Sequence, residues 1–154
     1  MGSPAKQCEE GITFPCHSAL SGAGYIVTTA DATAGYVQLT DADYEVPFGV
    51  AVMGTKNPID ETMQSGQYIA VQRAGYAFVK LHKANEAIAV GGLVGTMYTV
   101  NGVTDQGGVT ALTLDPTNTS TYFRAHRSIV GTAMEAVGVS NGGLILVHLA
   151  TGGI

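Results

Sequence analysis

The stretch SGQYIAVQRAGYAFVKLHKANEAIAVGGLVG, residues 65–95, decides the fold class. Tyr68, Ala70 and Gln72 alternate with Ile69, Val71 and Arg73. After Gly75 the alternation resumes, with Ala77, Val79 and Leu81 on one face and Tyr76, Phe78 and Lys80 on the other. A period of two over short runs rich in Val, Ile, Tyr and Phe is the signature of a half-buried strand. A helix would need apolar residues three and four apart over ten or more positions, and glycines stand where those turns would run. Arg73-Ala74-Gly75 reads as a tight turn between two strands, and Lys83 to Asn85 as a polar break. Ala87 to Val90 reads as a third short strand closed by Gly91 and Gly92.

Working outward, the same pattern predicts strands at Tyr25–Thr29, Tyr36–Leu39 and Phe48–Met53. Further strands are expected at Leu93–Val100, bulged at Gly95, and at Val109–Leu114, Ser128–Ala136 and Leu144–Leu149. Asn101-Gly102 is a turn dipeptide that ends one of these runs, and Asn141-Gly142 between two apolar runs is the strongest hairpin signal. The expected architecture is all-β, a small barrel or sandwich of about eight to ten short strands with no helix. Residues 1–21 lack a period and contain Gly2, Pro4, Gly11 and Pro15, so an extended N-terminal arm precedes a β domain over 22–154. Ile12, Phe14 and Leu20 are apolar and spaced along that arm, which a purely solvated tail would not need; the arm is expected to dock on its own domain or on a neighbour.

A chain of 154 residues falls in the range of one domain with a sizeable core. Charged residues make up only 12% of it, against a typical share of ~25%. Two readings explain so neutral a surface: cover by other protein, which is favoured, or a polar but uncharged Thr/Asn/Gln exterior. The net charge of −5 argues against nucleic-acid binding, which needs a basic face. The local basic clusters, Lys80–His82–Lys83 and Arg124–His126–Arg127, read as loop or inter-subunit groups. Cys8 and Cys16 do not have the spacing of a metal knuckle, and the sequence leaves open a small disulfide loop or two free thiols. No signal-peptide pattern and no apolar run of membrane-spanning length is found, so no membrane role is expected.

Motifs that carry chemistry are absent. There is no nucleophile elbow, phosphate loop or HExxH, and Gly91–Gly95 lacks the Lys and Ser/Thr of a phosphate cradle. Thr40–Glu45 reads TDADYE, an Asp-rich turn without the glycine and terminal Glu of a calcium loop. His17, His82, His126 and His148 are dispersed, and His148 is expected in a core or an interface. No enzyme, cofactor or metal is therefore expected. Seven tyrosines, at positions 25, 36, 44, 68, 76, 98 and 122, leave a small carbohydrate- or ligand-binding module as the alternative, provided three or more gather in a groove.

The rhythm GQYIAVQRAGYAFVKL, then AIAVGGLVG, then IVGTAMEAVGVSNGGLILVHL resembles the small capsid decoration, or cement, proteins of tailed bacteriophages. The matching positions are Gly66 to Val79, Ile88 to Gly91, Val130 to Ala136 and Gly143 to Leu149. That resemblance implies a virion protein on the outer capsid surface that staples neighbouring capsomers of the major capsid protein lattice. It also implies a homo-oligomer, with a trimer as the expected form. Candidate interface residues are Ile12, Phe14 and Leu20 on the arm, Tyr76 and Phe78 on the central unit, and Arg124 and Arg127. A tail or fibre component is the nearest alternative within the same structural class.

Overall fold

A computed structural model of the protein describes residues 12–31, 33–55 and 63–150. They form two five-stranded antiparallel sheets, a two-stranded hairpin and one helix. The first sheet holds β1 (Ile12–Pro15), β2 (Ile26–Thr29), β3 (Val37–Leu39), β4 (Gly49–Ala51) and β5 (Tyr68–Gln72), in the order β1-β5-β4-β2-β3. The second holds β6 (Tyr76–Lys80), β7 (Leu93–Thr96), β10 (Val109–Ala111), β11 (Ile129–Ala133) and β12 (Leu144–Leu149), in the order β10-β7-β11-β12-β6. Between β7 and β10 lies the hairpin of β8 (Thr99–Val100) and β9 (Val103–Thr104). Helix α1 (Thr119–Arg127) joins β10 to β11. The all-β expectation is met as a sandwich rather than a closed barrel.

Alternation places the core. Ala77, Val79 and Leu81 from the β6 run meet Ile145, Val147 and Leu149 of β12, together with Val94, Val109, Val130 and Ala133. Ile26 and Val50 of the first sheet join this cluster, so it lies between the sheets. The opposite face of the first sheet builds a second cluster from Val27, Val37, Leu39, Ala51, Ile69 and Val71, with Cys16 and Leu20 fully buried in it. Consecutive residues of β2 and β4 are buried for that reason: each face of that sheet has its own core.

Several expectations need correction. The turn at Gly75 does not fold β5 back on β6; the two strands lie in different sheets, and the turn is the corner between them. Ala87–Val90 is not a strand; only Ile88 makes a bridge, to Val137. Leu93–Val100 is two strands, because Thr96 and Tyr98 hand the chain from the second sheet to the hairpin. Asn101 (φ 49°) and Gly102 (φ 77°) both adopt the left-handed region, so this dipeptide makes a tight two-residue hairpin turn rather than merely ending a strand. At the other dipeptide, β11 and β12 do pair, but across the longer connection 134–143.

Helix α1 was not expected from sequence, because TSTYFRAHR has no apolar stripe and buries only Ala125. Its ends hold it. The Asn118 carbonyl takes the Tyr122 N–H at 2.9 Å, and Ser128 closes the last turn with its N–H to Ala125 O at 3.0 Å and its Oγ to the same oxygen at 2.7 Å. Arg124, His126 and Arg127 in the final turn complement the negative end of the helix dipole.

The predicted arm also reads differently. From Ile12 on it is an integral strand, with Ile12 opposite Val71 and Phe14 opposite Ile69. Residues 1–11, including Cys8, lie outside the described residues. Cys16 is a free, buried thiol. Burial pushes that thiol up from its ordinary pKa, against the lowering pull of the Ser18 backbone hydrogen bond.

Candidate interaction surface

The alternation that buries Val79 turns Tyr76 and Phe78 outward, 60% and 58% exposed. Register extends this outward set across the sheet. Tyr76 stands opposite His148, Phe78 opposite Leu146, and Lys80 opposite Leu144. Thr132 of β11 stands on the other side of His148, and the Met134 N–H bonds Leu146 O at 2.9 Å. The outer face of β6, β12 and the end of β11 is thus a grid of aromatic and aliphatic side chains. Leu144 and Met134 are 50% and 42% exposed. The Tyr76 and His148 rings stack at 4.8 Å with planes 24° apart.

Charge is drawn off this face. Lys80, the one cation of β6, turns into the seam, where it pairs with Asp105 and lies 5.5 Å over the Tyr25 ring. Burial alone would raise the Asp105 carboxyl, but the hydrogen bonds from Lys80 and the Lys83 N–H, with the Lys80 charge, hold it below the usual carboxylate range. Glu135 bends back so that its Oε1 accepts the Leu146 N–H at 2.9 Å. What remains, beside His148 and Thr132, is apolar and exposed, and a contiguous exposed apolar patch on a folded domain is a candidate contact surface.

The other predicted interface residues lie elsewhere. Leu20 is fully buried in its own chain and is unavailable to a partner. Phe14 is half-buried and packs edge-on against Phe48, ring centroids 4.9 Å apart. Of Ile12 the backbone pairing alone is described. Arg124 and Arg127 are exposed on α1; the Arg124 guanidinium lies 5.3 Å over the Tyr44 ring and so braces the helix on the 41–45 loop. The structure therefore gathers Tyr76 and Phe78 with Leu144, Leu146, His148 and Met134, and separates them from the arm and the arginines. Three of the four added residues, Leu144, Leu146 and His148, were legible in part: LILVHL alternates in the sequence, but which of its faces turned outward depended on its pairing with β6. The 67% exposed Phe123 on α1 was missed with the helix itself.

The 41–45 loop ties the sheets together. Asp43 Oδ1 accepts the N–H groups of Tyr98 and Thr99 at 3.1 and 2.8 Å, and the Thr96 hydroxyl donates to Glu45 O at 2.6 Å. The Glu45 carboxylate accepts the N–H groups of Asp41 and Ala42, so the acidic turn satisfies itself. Burial raises the Glu45 carboxyl above its ordinary value; those N–H groups oppose the rise and the Asp41 charge adds to it. Among the described residues no three His, Cys, Asp or Glu side chains gather as metal ligands. His82 is fully buried with both ring nitrogens engaged, Nε2 with Tyr98 O at 3.0 Å and Nδ1 accepting the Ala84 N–H at 3.0 Å, a structural role. Tyr25 and Tyr98 share one open cavity of about 360 Å³, while Tyr44 lines another of about 280 Å³. Tyr76 stands apart from both, on the outer face of the second sheet.

No helix among the described residues is long and apolar enough to cross a membrane. Comparison with protein-family models, with curated proteins and with solved structures finds no match.

Proposed function

We propose that this chain is a structural virion protein that binds the outer surface of a viral capsid and cements neighbouring capsomers. The observation that carries the reading is the neutral apolar face of β6 and β12. Tyr76, Phe78, Leu144 and Met134 expose about half of each side chain there. At the size of such side chains this comes to roughly 400 Å², below the roughly 800 Å² per partner of a standard stable interface. A single contact of that size is weak, and a protein that repeats it over a lattice gains by multivalency what one contact lacks. The low overall charge, 12% of residues, fits a part whose surface is covered by neighbours. The resemblance in strand rhythm to phage decoration proteins supplies the particular lattice, a viral shell, and an oligomer, with a trimer expected.

The test is co-sedimentation of the purified chain with expanded capsids of its source virus. Wild type pellets with the shells, and Phe78→Asp stays in the supernatant while keeping its folded circular dichroism spectrum. Equal pelleting of both chains would remove the β6–β12 face from the account. Failure of the wild type to pellet at all would remove the capsid.

A further inference from the structure

The four outer strands of the two sheets protect their edges only in part. On β3 the outward carbonyl of Val37 takes the His17 N–H at 2.8 Å, and the Leu39 N–H donates to Ser18 Oγ at 3.0 Å. On β6 the Lys80 N–H donates to Gly24 O at 2.8 Å, and the Tyr76 carbonyl accepts Gln72 Nε2 at 2.8 Å. Gly24 packs so tightly on that edge that a Cβ there would fall 3.2 Å from Lys80 N. On β1 the bond from Cys16 N to Gln67 O at 3.0 Å sets the alternation, which puts Pro15, with no N–H to offer, at an outward position. Lateral cover and an edge proline are devices against stray strand pairing, yet Thr13 on β1 and Phe78 on β6 still turn outward N–H and C=O groups that make no hydrogen bond among the described residues.

At β10 the Leu112 N–H bonds Leu93 O at 2.9 Å, so Leu112 and Thr110 direct their backbone groups to β7, while Val109 and Ala111 direct theirs outward. The Val109 carbonyl is covered by the His82 N–H at 2.9 Å. The N–H and C=O of Ala111 make no hydrogen bond among the described residues. Beside them opens the cavity of about 280 Å³, whose lining includes Tyr44, Glu86, Met97, Thr110 and Leu112. Glu86 is exposed and takes part in no ion pair among the described residues.

We infer that the outer edge of β10 at Ala111 is a strand-addition site for an extended protein segment bearing a lysine or arginine. The Ala111 N–H and C=O bond the added backbone, as in other sheet-edge recognition. The basic side chain lays its methylenes along Met97 and Leu112 and brings its charge to Glu86. Charge complementarity selects this occupant: Glu86 lines the pocket with no ion pair among the described residues, on a chain of net charge −5, and its carboxylate favours a basic over an acidic side chain beside it, while the cation Arg124 lies over Tyr44 elsewhere on the lining. A single open position makes the site weak by itself. It lies on a different strand from the β6–β12 face, and the inference stands independently of the capsid reading.

The probe is a seven-residue peptide of alternating threonine and valine with lysine at its centre, acetylated and amidated, titrated into the full chain at low salt. A second peptide carries glutamate at the centre. Binding is followed by amide shifts and hydrogen exchange. The expected result is protection of the Ala111 amide by the lysine peptide and at least about five-fold weaker binding of the glutamate peptide. Ala111→Pro removes an N–H that no described strand uses, and is expected to weaken the lysine peptide at least about five-fold. Glu86→Lys keeps every backbone bond and is expected to reverse the peptide preference, which preserves the test if the proline variant fails to fold. Equal affinity for both peptides, shifts mapping away from Ala111, no binding of the lysine peptide at millimolar concentration, or an unchanged preference in Glu86→Lys would each overturn the inference.

Discussion

Two adjacent residues of β6 separate the fold from the surface it displays. Val79 is completely buried between the sheets, and Phe78, one residue earlier, is 58% exposed. Val79→Ala removes two buried carbons, about 1.6 kcal/mol at ~0.8 kcal/mol each. The unfilled space adds to this, for a total of about 2–3 kcal/mol. Phe78→Thr keeps a strand-forming residue and forfeits only the buried minority of the ring, about 1 kcal/mol or less. Urea unfolding of the isolated chain reads the difference. With a slope of ~2 kcal/mol per molar, Val79→Ala lowers the midpoint by about 1–1.5 M and Phe78→Thr by no more than about 0.5 M. Under the proposed cementing role, association reverses the order: loss of an exposed aromatic anchor weakens capsid binding at least about ten-fold, whereas Val79→Ala leaves it nearly unchanged below its unfolding transition. Equal destabilisation by the two variants would refute the alternation that assigns inner and outer faces. Unchanged association of Phe78→Thr would refute the outer face as the interface.

Further outcomes follow from single sites. A Cβ at Gly131 would fall 2.1 Å from His148 O, a backbone atom that cannot rotate away, so Gly131→Ala must part β11 from β12 and cost about 3 kcal/mol or more in the same urea assay. The Asp105 carboxyl is held below its ordinary value near 3.8, so its contribution to stability is fully present above that pH and is lost as pH falls through the lower folded value. Asp105→Asn should therefore flatten the most acidic limb of the stability–pH profile, measured by thermal melts. Glu45 has the opposite sign: raised above its ordinary 4.5, it contributes most below that pH and loses the contribution as pH rises through its folded value, a slope that Glu45→Gln should abolish. The Cys16 thiol, buried and raised in pKa, should resist maleimide labelling in the native chain and label fully in denaturant.

Residues 65–95 carried the fold class because a buried face and a solvated face leave a period-two trace in one short run. The pairing of those strands left no such trace. Val71 and Val79 look alike in sequence, yet they line different cores, since the corner at Gly75 passes the chain from one sheet to the other. The helix was hidden for a related reason: its ends are closed by Asn118 and Ser128, and a segment burying only Ala125 has no apolar period to reveal it. Apolar spacing along residues 12–20 was readable, but its destination was not. Phe14 and Leu20 serve this chain's own second core, where an arm reaching a neighbour would have shown the same composition. At the candidate interface Tyr76 and Phe78 followed from alternation alone, while Leu144, Leu146 and His148 needed the register of β12 on β6.

The most direct test of the proposed capsid-cementing role is an electron cryo-microscopy reconstruction of expanded viral capsids incubated with this chain. The account predicts density for the two-sheet fold on the outer surface, with Tyr76, Phe78 and Leu144 buried against the lattice or a neighbouring copy. Bound density in which the β6–β12 face points into solvent would contradict it.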